Sequence, residues 1–470
     1  MSEPFSTADL VRWTGGSLLG AGEAARFSGV SIDTRSLQTG DLFVAIRGER
    51  HDAHGFLAQA VSGGAAGLVI ERDRSGEAEN LFEELPVIAV TDTTTALGAL
   101  AAGHRASFEG PLVAITGSSG KTTTKEMCAA ILSQAAPCLK TAGNLNNEFG
   151  LPLTLLRREP EHQSAVVELG MNHRGEIARL AAIARPSVAL VTNVGTAHIE
   201  FLGSREEIAR EKGDLFAALG ADGVAVVNRD DALVAAEAVR APGKLLGYGR
   251  LAAAEVSARN VRFVRNDGFH FEFELETPQG SCALRVCGLS ETTVMNALAA
   301  AAAALAAGAD LAAVVAGLET YRPMGGRMTR HSLAGGVDLI DDTYNANPTS
   351  MRAALEALGR IKEPGRAVAV LGDMNELGES ALEAHREIGR TAAELGIDFL
   401  FALGAHAESL AAGAVAAGMD PTRVAVGCEH EEVSSRVRDL LRPGDWVLVK
   451  GSRALKMERV VKSLCEQEPR

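Results

Sequence analysis

Short apolar runs alternate with helix-length segments through the middle of the chain, and this alternation limits the possible folds more than any other feature. Between Leu112 and Asn228 the runs are LVAIT, SAVVELG, SVALVTNVG and GVAVVN. Strands covered on both faces of a sheet have continuous apolar runs of this kind, and parallel neighbours need a crossover that is usually a helix. The pattern predicts a doubly wound, parallel α/β domain.

The alternation resumes after a Pro- and Gly-containing segment, YRPMGGRMTR, with the runs VDLID, RAVAVLG, FLFALG, RVAVGC and WVLVKG. A chain of 470 residues is too long for one hydrophobic core. We therefore predict an α/β protein of three domains: a small α/β N-terminal domain over residues 1–90, a central parallel-sheet domain over 91–323 and a Rossmann-like domain over 324–470. No run is followed by G-x-G-x-x-G, so nicotinamide binding lacks its main support.

Two local signals refine this outline. Thr91 or Asp92 is expected to cap the helix that leads into the central domain, because both side chains can accept a hydrogen bond from a first-turn N–H group. Alternating runs on either side of Asn266-Asp267-Gly268 predict a β-hairpin late in that domain.

Composition excludes several classes of partner. The net charge of −14 argues against binding to nucleic acid or to an anionic membrane surface. No apolar run reaches the roughly 20 residues of a membrane span, and the N-terminal residues lack the features of a signal peptide, so we expect a cytoplasmic protein. The six cysteines show no metal-ligand spacing and are expected to be free thiols.

The segment Thr116-Gly117-Ser118-Ser119-Gly120-Lys121-Thr122 follows the run LVAI and precedes a helix expected from about Thr123. Ile115 stands where the pattern G-x-x-x-x-G-K-T has its first glycine. Backbone N–H groups at a helix start, together with a lysine ammonium, suit a polyphosphate, and the hydroxyl of Thr122 suits Mg²⁺. We therefore predict a phosphate-binding loop and a central ATPase domain of the P-loop type.

Glu168 and His198 follow the next two strands along the chain. Because ligands of open α/β sheets bind beyond the carboxyl ends of the strands, both side chains are expected to face the loop. Glu168 is a candidate ligand of Mg²⁺, and His198 is a candidate ligand or polar contact. Taken singly, each is also explained as a polar residue at a strand end.

Lys212 lies on the apolar stripe of a predicted helix, in register with Ile208, Leu215, Phe216 and Leu219. A lysine at the edge of such a stripe can extend its amine to solvent. If it is buried instead, its pKa falls and the neutral amine can react with CO₂ to form a carbamate, which could hold a second cation.

Several segments together resemble the Mur ligase family: TGSSGKTTTKE, TAGNLNNEFGLPLTLL, ELGMNHRGEI, AHIEFLGSREEIAREKGDLF, DDTYNANPTSM and LGDMNELGESALEAHREIG. The resemblance extends over nearly the whole chain. It implies an N-terminal domain that binds the UDP end of a substrate, a central ATPase domain and a C-terminal domain that completes the site. The implied reaction adds D-alanyl-D-alanine to UDP-N-acetylmuramoyl-tripeptide through an acyl phosphate, with ATP, two Mg²⁺ ions and a carbamylated Lys212, in a monomeric enzyme of peptidoglycan synthesis.

The resemblance also assigns roles to individual positions. Residues expected to bind ATP are Gly117, Ser118, Ser119, Gly120, Lys121, Thr122, Thr123, Asn296, Arg327, Asp342, Asn345 and Asn347. Residues expected at the metals are Thr122, Glu168, His198 and carbamylated Lys212, and those expected to be catalytic are Lys121, Glu168, His198 and Lys212. Residues expected on the substrate side are Ser31, Asp33, Thr34, Arg35, Arg47, Gly48, Thr141, Asn144, Asn146, Asn147, Asp373, His385, Lys450, Ser452 and Arg453.

Several alternatives stay open at this level. The general base for amine attack could be His198, Asp373 or solvent, and the third residue of the tripeptide is not fixed. Thr292 and Thr293 stand where many family members carry His-Asn, so the resemblance assigns no contact to these two residues. Another amino-acid-adding Mur ligase or a folylpolyglutamate-synthetase-like ligase is the nearest rival. A binding module gated by nucleotide would have no use for Lys212 or Glu168.

Overall fold

The computed structural model describes residues 4–20, 25–48, 51–81, 83–265 and 268–466. Its strands lie mainly in three sheets, which follow one another along the chain. The short 3₁₀ helices are Ala53–Phe56, Arg72–Leu81, Ala238–Arg240, Gly378–Ser380, Pro421–Arg423 and Arg453–Leu455.

The N-terminal sheet has five strands in the order β2-β7-β6-β5-β4, in which only β2 runs antiparallel to its neighbour. The strands of this region are β1 (Phe5–Ser6), β2 (Ser17–Leu19), β3 (Arg26–Phe27), β4 (Gly29–Ser31), β5 (Asp41–Val44), β6 (Gly67–Glu71) and β7 (Val87–Val90). Its α-helices are α1 (Thr7–Thr14), α2 (Leu57–Ser62) and α3 (Thr93–Arg105). Asp92 caps α3 by accepting a hydrogen bond from the Thr95 N–H group, which confirms one of the two predicted caps.

The central sheet has nine strands in the order β16-β15-β14-β13-β12-β11-β8-β10-β9. Its strands are β8 (Leu112–Thr116), β9 (Cys138–Lys140), β10 (Ser164–Glu168), β11 (Val188–Val191), β12 (Val224–Asn228), β13 (Lys244–Gly249), β14 (Val256–Val264), β15 (His270–Thr277) and β16 (Gly280–Cys287). Its helices are α4 (Lys121–Leu132), α5 (Gly150–Leu156), α6 (Glu176–Ala184), α7 (Ile199–Leu202), α8 (Arg205–Ala217), α9 (Ala232–Glu237), α10 (Thr292–Ala306) and α11 (Leu311–Thr320). The strands from β9 to β14 pair in parallel, so the α/β class and the four apolar strands predicted here are confirmed.

Strands β14, β15 and β16 pair antiparallel, as their alternating pattern predicts. Of the predicted turn, Asn266 and Asp267 lie outside the described residues. The helix after the phosphate loop begins at Lys121, two residues before the predicted Thr123, because Gly120 serves as its N-cap.

Apolar residues cover both faces of the central sheet. One face packs against α3, α6 and α8, and the other packs against α4 and the alanine-rich α10. Alanine has the highest helix propensity, and its small side chain lets α10 approach the sheet closely. The helix is consequently buried along most of its length.

The C-terminal sheet has six strands in the order β17-β18-β22-β19-β20-β21, and only β17 is antiparallel. Its strands are β17 (Thr329–Leu333), β18 (Val337–Asp342), β19 (Ala367–Gly372), β20 (Phe399–Leu403), β21 (Val424–Gly427) and β22 (Trp446–Lys450). Its helices are α12 (Pro348–Ile361), α13 (Ala381–Glu394), α14 (Ala407–Ala416), α15 (His430–Leu440) and α16 (Glu458–Cys465). All five runs predicted for this region form strands.

The strand order fixes the place of the candidate site. Strand β8 lies between β10 and β11, with Ile115 paired to Glu168 and Thr116 paired to Val191. The carboxyl ends of these three strands therefore meet at one edge of the sheet, which is where ligands of doubly wound sheets bind. Within the described part of the chain, no helix combines the length and apolar character that a membrane crossing requires.

Candidate active site

The phosphate loop is shaped by two glycines. Gly117 and Gly120 have φ angles of 149° and 79°, in the range that favours glycine. A Cβ atom on Gly117 would lie 1.8 Å from Thr192 Oγ1, and one on Gly120 would lie 2.4 Å from Asn296 Oδ1. Gly120 caps α4 without a side-chain hydrogen bond, so the first N–H groups of this helix are available to an anion.

Lys121 begins α4 and lies beside the loop. Its Nζ atom donates a 2.7 Å hydrogen bond to the carbonyl oxygen of Gly117. Burial lowers the pKa of this lysine, and the nearby Arg327 lowers it further, whereas Glu168 opposes the shift. The amine is held within the loop, where it would meet the phosphate groups of a bound nucleotide.

A hydrogen-bonded group links the phosphate loop to the end of β10. Thr122 Oγ1 donates to Glu168 Oε2 over 2.7 Å, and Asn146 Nδ2 donates to Glu168 Oε1 over 2.9 Å. The backbone of Glu168 is fixed by Thr141, whose hydroxyl accepts the Glu168 N–H at 3.0 Å. From the other side, Arg327 Nη2 donates to Thr122 Oγ1 over 2.7 Å. The structure therefore brings Thr122, Asn146 and Thr141 against Glu168, and Arg327 against Thr122.

Lys212 lies on the buried face of α8, as its place on the apolar stripe predicts. It is 1% exposed, and Ile208, Leu215 and Phe216 are buried beside it. Burial lowers the pKa of Lys212 well below that of an ordinary lysine, Lys121 adds to the shift and Glu211 opposes it. The Lys212 side chain lines the same cleft as the phosphate loop.

His198 meets a residue that the sequence did not single out. His198 has a φ of 66°, and its Nδ1 atom lies 2.5 Å from Oε2 of Glu376, in the loop after β19. The close contact with His198 lowers the pKa of Glu376, although partial burial acts in the opposite direction. Glu376 lies within the quoted segment LGDMNELG, and its position just after a strand end is the signal that could have identified it.

Residues predicted to contact the nucleoside come from α10 and from the end of β18 onward. Asn296 Oδ1 accepts a 3.3 Å hydrogen bond from Thr124 Oγ1, which holds α10 against α4. Lys450 Nζ donates to Asp342 Oδ2 over 2.5 Å and to the carbonyl oxygen of Asn345 over 3.0 Å. Asn347 caps α12, and its Nδ2 atom donates to the Ser118 carbonyl oxygen at 3.4 Å. These contacts place the end of β18 beside the phosphate loop.

One cleft of about 900 Å³ contains most of the predicted positions. Thr292 and Thr293, at the turn where the family pattern is not matched, also line it. The predicted residues that line the cleft are Gly117, Ser118, Ser119, Gly120, Lys121, Thr122, Thr123, Asn144, Asn146, Asn147, Glu168, His198, Lys212, Asn296, Arg327, Asp342, Asn345, Asn347, Lys450 and Arg453.

The same three regions match known proteins. Residues 26–105 match the Mur ligase family, catalytic domain; residues 115–304 match the Mur ligase middle domain; and residues 326–453 match the Mur ligase, glutamate ligase domain. The UDP-N-acetylmuramoyl-tripeptide--D-alanyl-D-alanine ligase of Escherichia coli is 42% identical over 93% of this chain and 93% of its own. The chain belongs to the Mur ligase family.

Solved Mur ligase structures agree with this assignment. MurF from Acinetobacter baumannii has a TM-score of 0.89 and 36% identity, covering 99% of this chain and 100% of that one. The MurF ligase from Thermotoga maritima, solved in complex with ADP, has a TM-score of 0.81 and 29% identity, covering 93% and 96% of the two chains. The three-domain Mur ligase architecture is thus shown, whereas the boundaries at 90 and 323 stay predictions.

In this Mur ligase, several predicted substrate residues lie outside the cleft. His385 is fully buried, and burial lowers its pKa. Its Nε2 atom accepts a hydrogen bond from the Met374 N–H, and its Nδ1 atom is hydrogen-bonded to the Ala381 carbonyl oxygen. The carboxylate of Asp373 accepts from the N–H groups of Ala405 and His406. Both side chains hold the loop that carries Glu376, and neither lines the cleft.

The two remaining third-domain residues differ in exposure. Ser452 is 1% exposed, and its N–H donates to the carbonyl oxygen of Asp373. The Arg453 side chain is largely exposed, pairs with Glu458 at 3.3 Å and lies over the ring of Tyr344. Arg453 is therefore the one that reaches the cleft.

The N-terminal candidates form a separate group. Ser31 Oγ donates to the Asp33 carbonyl oxygen, and the Asp33 carboxylate forms a 2.6 Å ion pair with the exposed Arg35. Arg47 pairs with Glu71 at 3.1 Å and lines a second cavity of about 720 Å³. Thr34 and Gly48 stand in the same loops. Their contact with a UDP-sugar stays a prediction.

Proposed function

We propose that this chain joins D-alanyl-D-alanine to UDP-N-acetylmuramoyl-tripeptide, using ATP and releasing ADP and phosphate, to form the pentapeptide precursor of peptidoglycan. The observation that carries the proposal is the convergence of the phosphate loop, the Thr122–Glu168 pair and the buried amine of Lys212 in one cleft. Its 42% identical relative carries the name of this activity.

The nucleotide binds across the cleft in this proposal. The loop from Gly117 to Thr123 receives the phosphate groups on the open N-terminus of α4, with Lys121 and Arg327 as the cationic contacts. Asn296, Asp342, Asn345 and Asn347 contact the nucleoside. The support is that these residues line the same cleft although Asn296 lies on α10 of the central domain and the other three lie at or after the end of β18.

Thr122, Glu168, His198 and Lys212 are the residues that would hold Mg²⁺. Oxygen ligands suit this hard cation, and the hydroxyl of Thr122 and the carboxylate of Glu168 are already adjacent. Among the described residues, no three His, Cys, Asp or Glu side chains converge on a metal-binding cluster. Phosphate oxygens and a carbamate on Lys212 would complete the ligand set, and the bound cations would neutralise charge on the transferred phosphoryl group.

The reaction then has two steps. A substrate carboxylate oxygen forms a bond to the γ-phosphorus, the bond from that phosphorus to the bridging oxygen breaks, and ADP leaves; Lys121 stabilises charge on the phosphoryl oxygens. The dipeptide nitrogen, after losing one proton, forms a bond to the acyl carbon, and the carbon–oxygen bond breaks with release of phosphate. The nitrogen loses a second proton as the amide forms.

Of the three candidates for the general base, Asp373 is the least favoured, because its carboxylate already accepts two backbone hydrogen bonds away from the cleft. His198 and solvent remain the candidates for the general base.

The residues that bind the UDP end of the substrate in this proposal are Ser31, Asp33, Thr34, Arg35, Arg47 and Gly48. Asn144 and Asn147 lie toward the peptide. We further propose a monomeric enzyme acting in the cytoplasm, where its nucleotide-linked substrates would be dissolved.

Phosphate release tests the assignment. The protein is incubated with ATP, Mg²⁺ and UDP-muramoyl-tripeptide, and release is compared with D-alanyl-D-alanine, meso-diaminopimelate, D-glutamate or no acceptor. We expect release to depend on the dipeptide. Release that is equal with a single amino acid, or independent of any acceptor, would refute the specific assignment.

A further inference from the structure

Glu376 belongs to the third domain, yet its side chain faces the cleft of the central domain. Its carboxylate lies 2.5 Å from His198 Nδ1, and its carbonyl oxygen accepts a 3.3 Å hydrogen bond from the Glu200 N–H. The backbone φ angles of Glu376 and His198 are 63° and 66°, a left-handed conformation that is unfavourable for residues other than glycine. Strained residues persist only where the surrounding structure fixes them, and here two of them meet across the cleft.

Glu376 pairs with His198 and, unlike the buried Glu168 and Asp342, leaves much of its side chain open to the cleft. Glu168 is satisfied by Thr122 and Asn146, and Asp342 is satisfied by Lys450. The Glu376 side chain keeps 39% of its surface exposed in the cleft, and its charge interacts with that of Lys121 in the phosphate loop. A carboxylate at this position is repelled by a bound polyphosphate unless a cation lies next to it.

We propose that Glu376 binds the ammonium group of the acceptor dipeptide and positions its nitrogen toward the acyl phosphate. The inference rests on the proposed function, in which the acceptor is the substrate that brings a positive charge. Its amine has to reach an acyl carbon next to the terminal phosphate, and that phosphate is held by Lys121. A carboxylate that interacts with Lys121 and projects from the third-domain side of the cleft is placed to receive this amine through a charge-assisted hydrogen bond.

Hydroxylamine distinguishes a role of Glu376 in binding the dipeptide from a role in forming the acyl phosphate. It is a small nucleophile that is uncharged at neutral pH, so it can trap the acyl phosphate as a hydroxamate without an ammonium-binding carboxylate. For Glu376→Gln we expect the KM for D-alanyl-D-alanine to rise about ten- to hundredfold, as for the loss of a hydrogen bond to a charged group. Hydroxamate formation from ATP and the tripeptide substrate should stay at the wild-type rate, and so should the KM for ATP.

Glu379→Gln is the matched control, because Glu379 is an exposed acid in the neighbouring 3₁₀ helix Gly378–Ser380 and does not line the cleft. It should keep the wild-type KM for the dipeptide. Glu376→Asp retains the charge and should recover part of the lost affinity. An unchanged KM in Glu376→Gln would overturn the inference.

Loss of hydroxamate formation in Glu376→Gln in proportion to the dipeptide reaction would also overturn it, because the residue would then serve activation or folding of the site. A wild-type enzyme that forms hydroxamate but ignores the dipeptide would refute the proposed function instead. The two failures are therefore distinguishable in one set of assays.

Discussion

Thr122 Oγ1 donates a 2.7 Å hydrogen bond to Glu168 Oε2 and accepts one of the same length from Arg327 Nη2. The three side chains come from the start of α4, the end of β10 and the segment that precedes β17. Arg327 also lies over the ring of Tyr344, 3.9 Å from its centroid, which fixes the direction of its guanidinium group. The hydroxyl of Thr122 is thus one point at which the third domain contacts the phosphate loop of the central domain.

Removing this hydroxyl should impair catalysis. For Thr122→Ala we expect kcat to fall about a hundredfold or more, because Glu168 loses a hydrogen-bond donor and the proposed cation loses an oxygen ligand. Thr122→Ser retains the hydroxyl and should stay within about tenfold of the wild type. The activity of both variants is measured as dipeptide-dependent phosphate release over a Mg²⁺ titration. Equal activity of Thr122→Ala and Thr122→Ser would contradict a role for the hydroxyl.

A side chain on Gly120 should weaken nucleotide binding. The φ of 79° disfavours alanine, and the new Cβ atom would press on Asn296 Oδ1. We expect Gly120→Ala to raise the Kd for ADP at least about tenfold. Gly220→Ala, at an exposed glycine with no atom near its Cβ position, is the control and should bind like the wild type. Calorimetric titration with ADP distinguishes the two results.

Activity should require Lys212 in its carbamylated form. We expect Lys212→Ala to lose activity about a hundredfold or more, and short-chain carboxylates to restore part of it by supplying the missing anionic oxygens. Lys244→Ala removes an exposed lysine in β13 and should have no such effect. Added bicarbonate should raise the activity of CO₂-depleted wild-type protein. A Lys212→Ala variant with normal activity would show that the buried amine has a structural role only.

Stability should fall at mildly acidic pH because of His385. Burial lowers its pKa below the ordinary value of 6.5, so the unfolded chain binds a proton that the folded chain does not. The free energy of unfolding should therefore decrease as pH falls through about 6.5, by up to about 1.4 kcal/mol per pH unit for one such group.

Urea unfolding of His385→Gln at about pH 7 and pH 5.5 tests this expectation. Glutamine can still accept from the Met374 N–H and donate to the Ala381 carbonyl oxygen, so the loop should keep its shape. The variant should show a smaller loss of stability than the wild type. His51→Gln, at an exposed histidine, should lose as much stability between the two pH values as the wild type. If His385→Gln also loses as much as the wild type, the assignment to His385 is contradicted.

Much of the local structure was predictable because it depends on near neighbours in the chain. Continuous apolar runs identified the parallel strands, and the spacing of Lys212 from Leu215 and Phe216 placed it on a buried helical face. Gly120-Lys121-Thr122 between a strand and a helix predicted the phosphate loop. The start of α4 lies two residues before the predicted position of about Thr123, because a glycine N-cap gives no side-chain signal.

The contacts that complete the cleft were decided by tertiary structure. Thr122 and Arg327 are 205 positions apart, and Asp342 and Lys450 are 108 apart. Nothing local in the sequence specifies such distances, because they follow from the order of strands in two sheets and from the way one domain packs on another. His385 shows the same limit: its sequence context suggested a substrate contact, and packing behind the loop turned both of its ring nitrogens to the backbone. The sequence determined which groups this protein possesses, and the packing of distant elements decided which of them face one another.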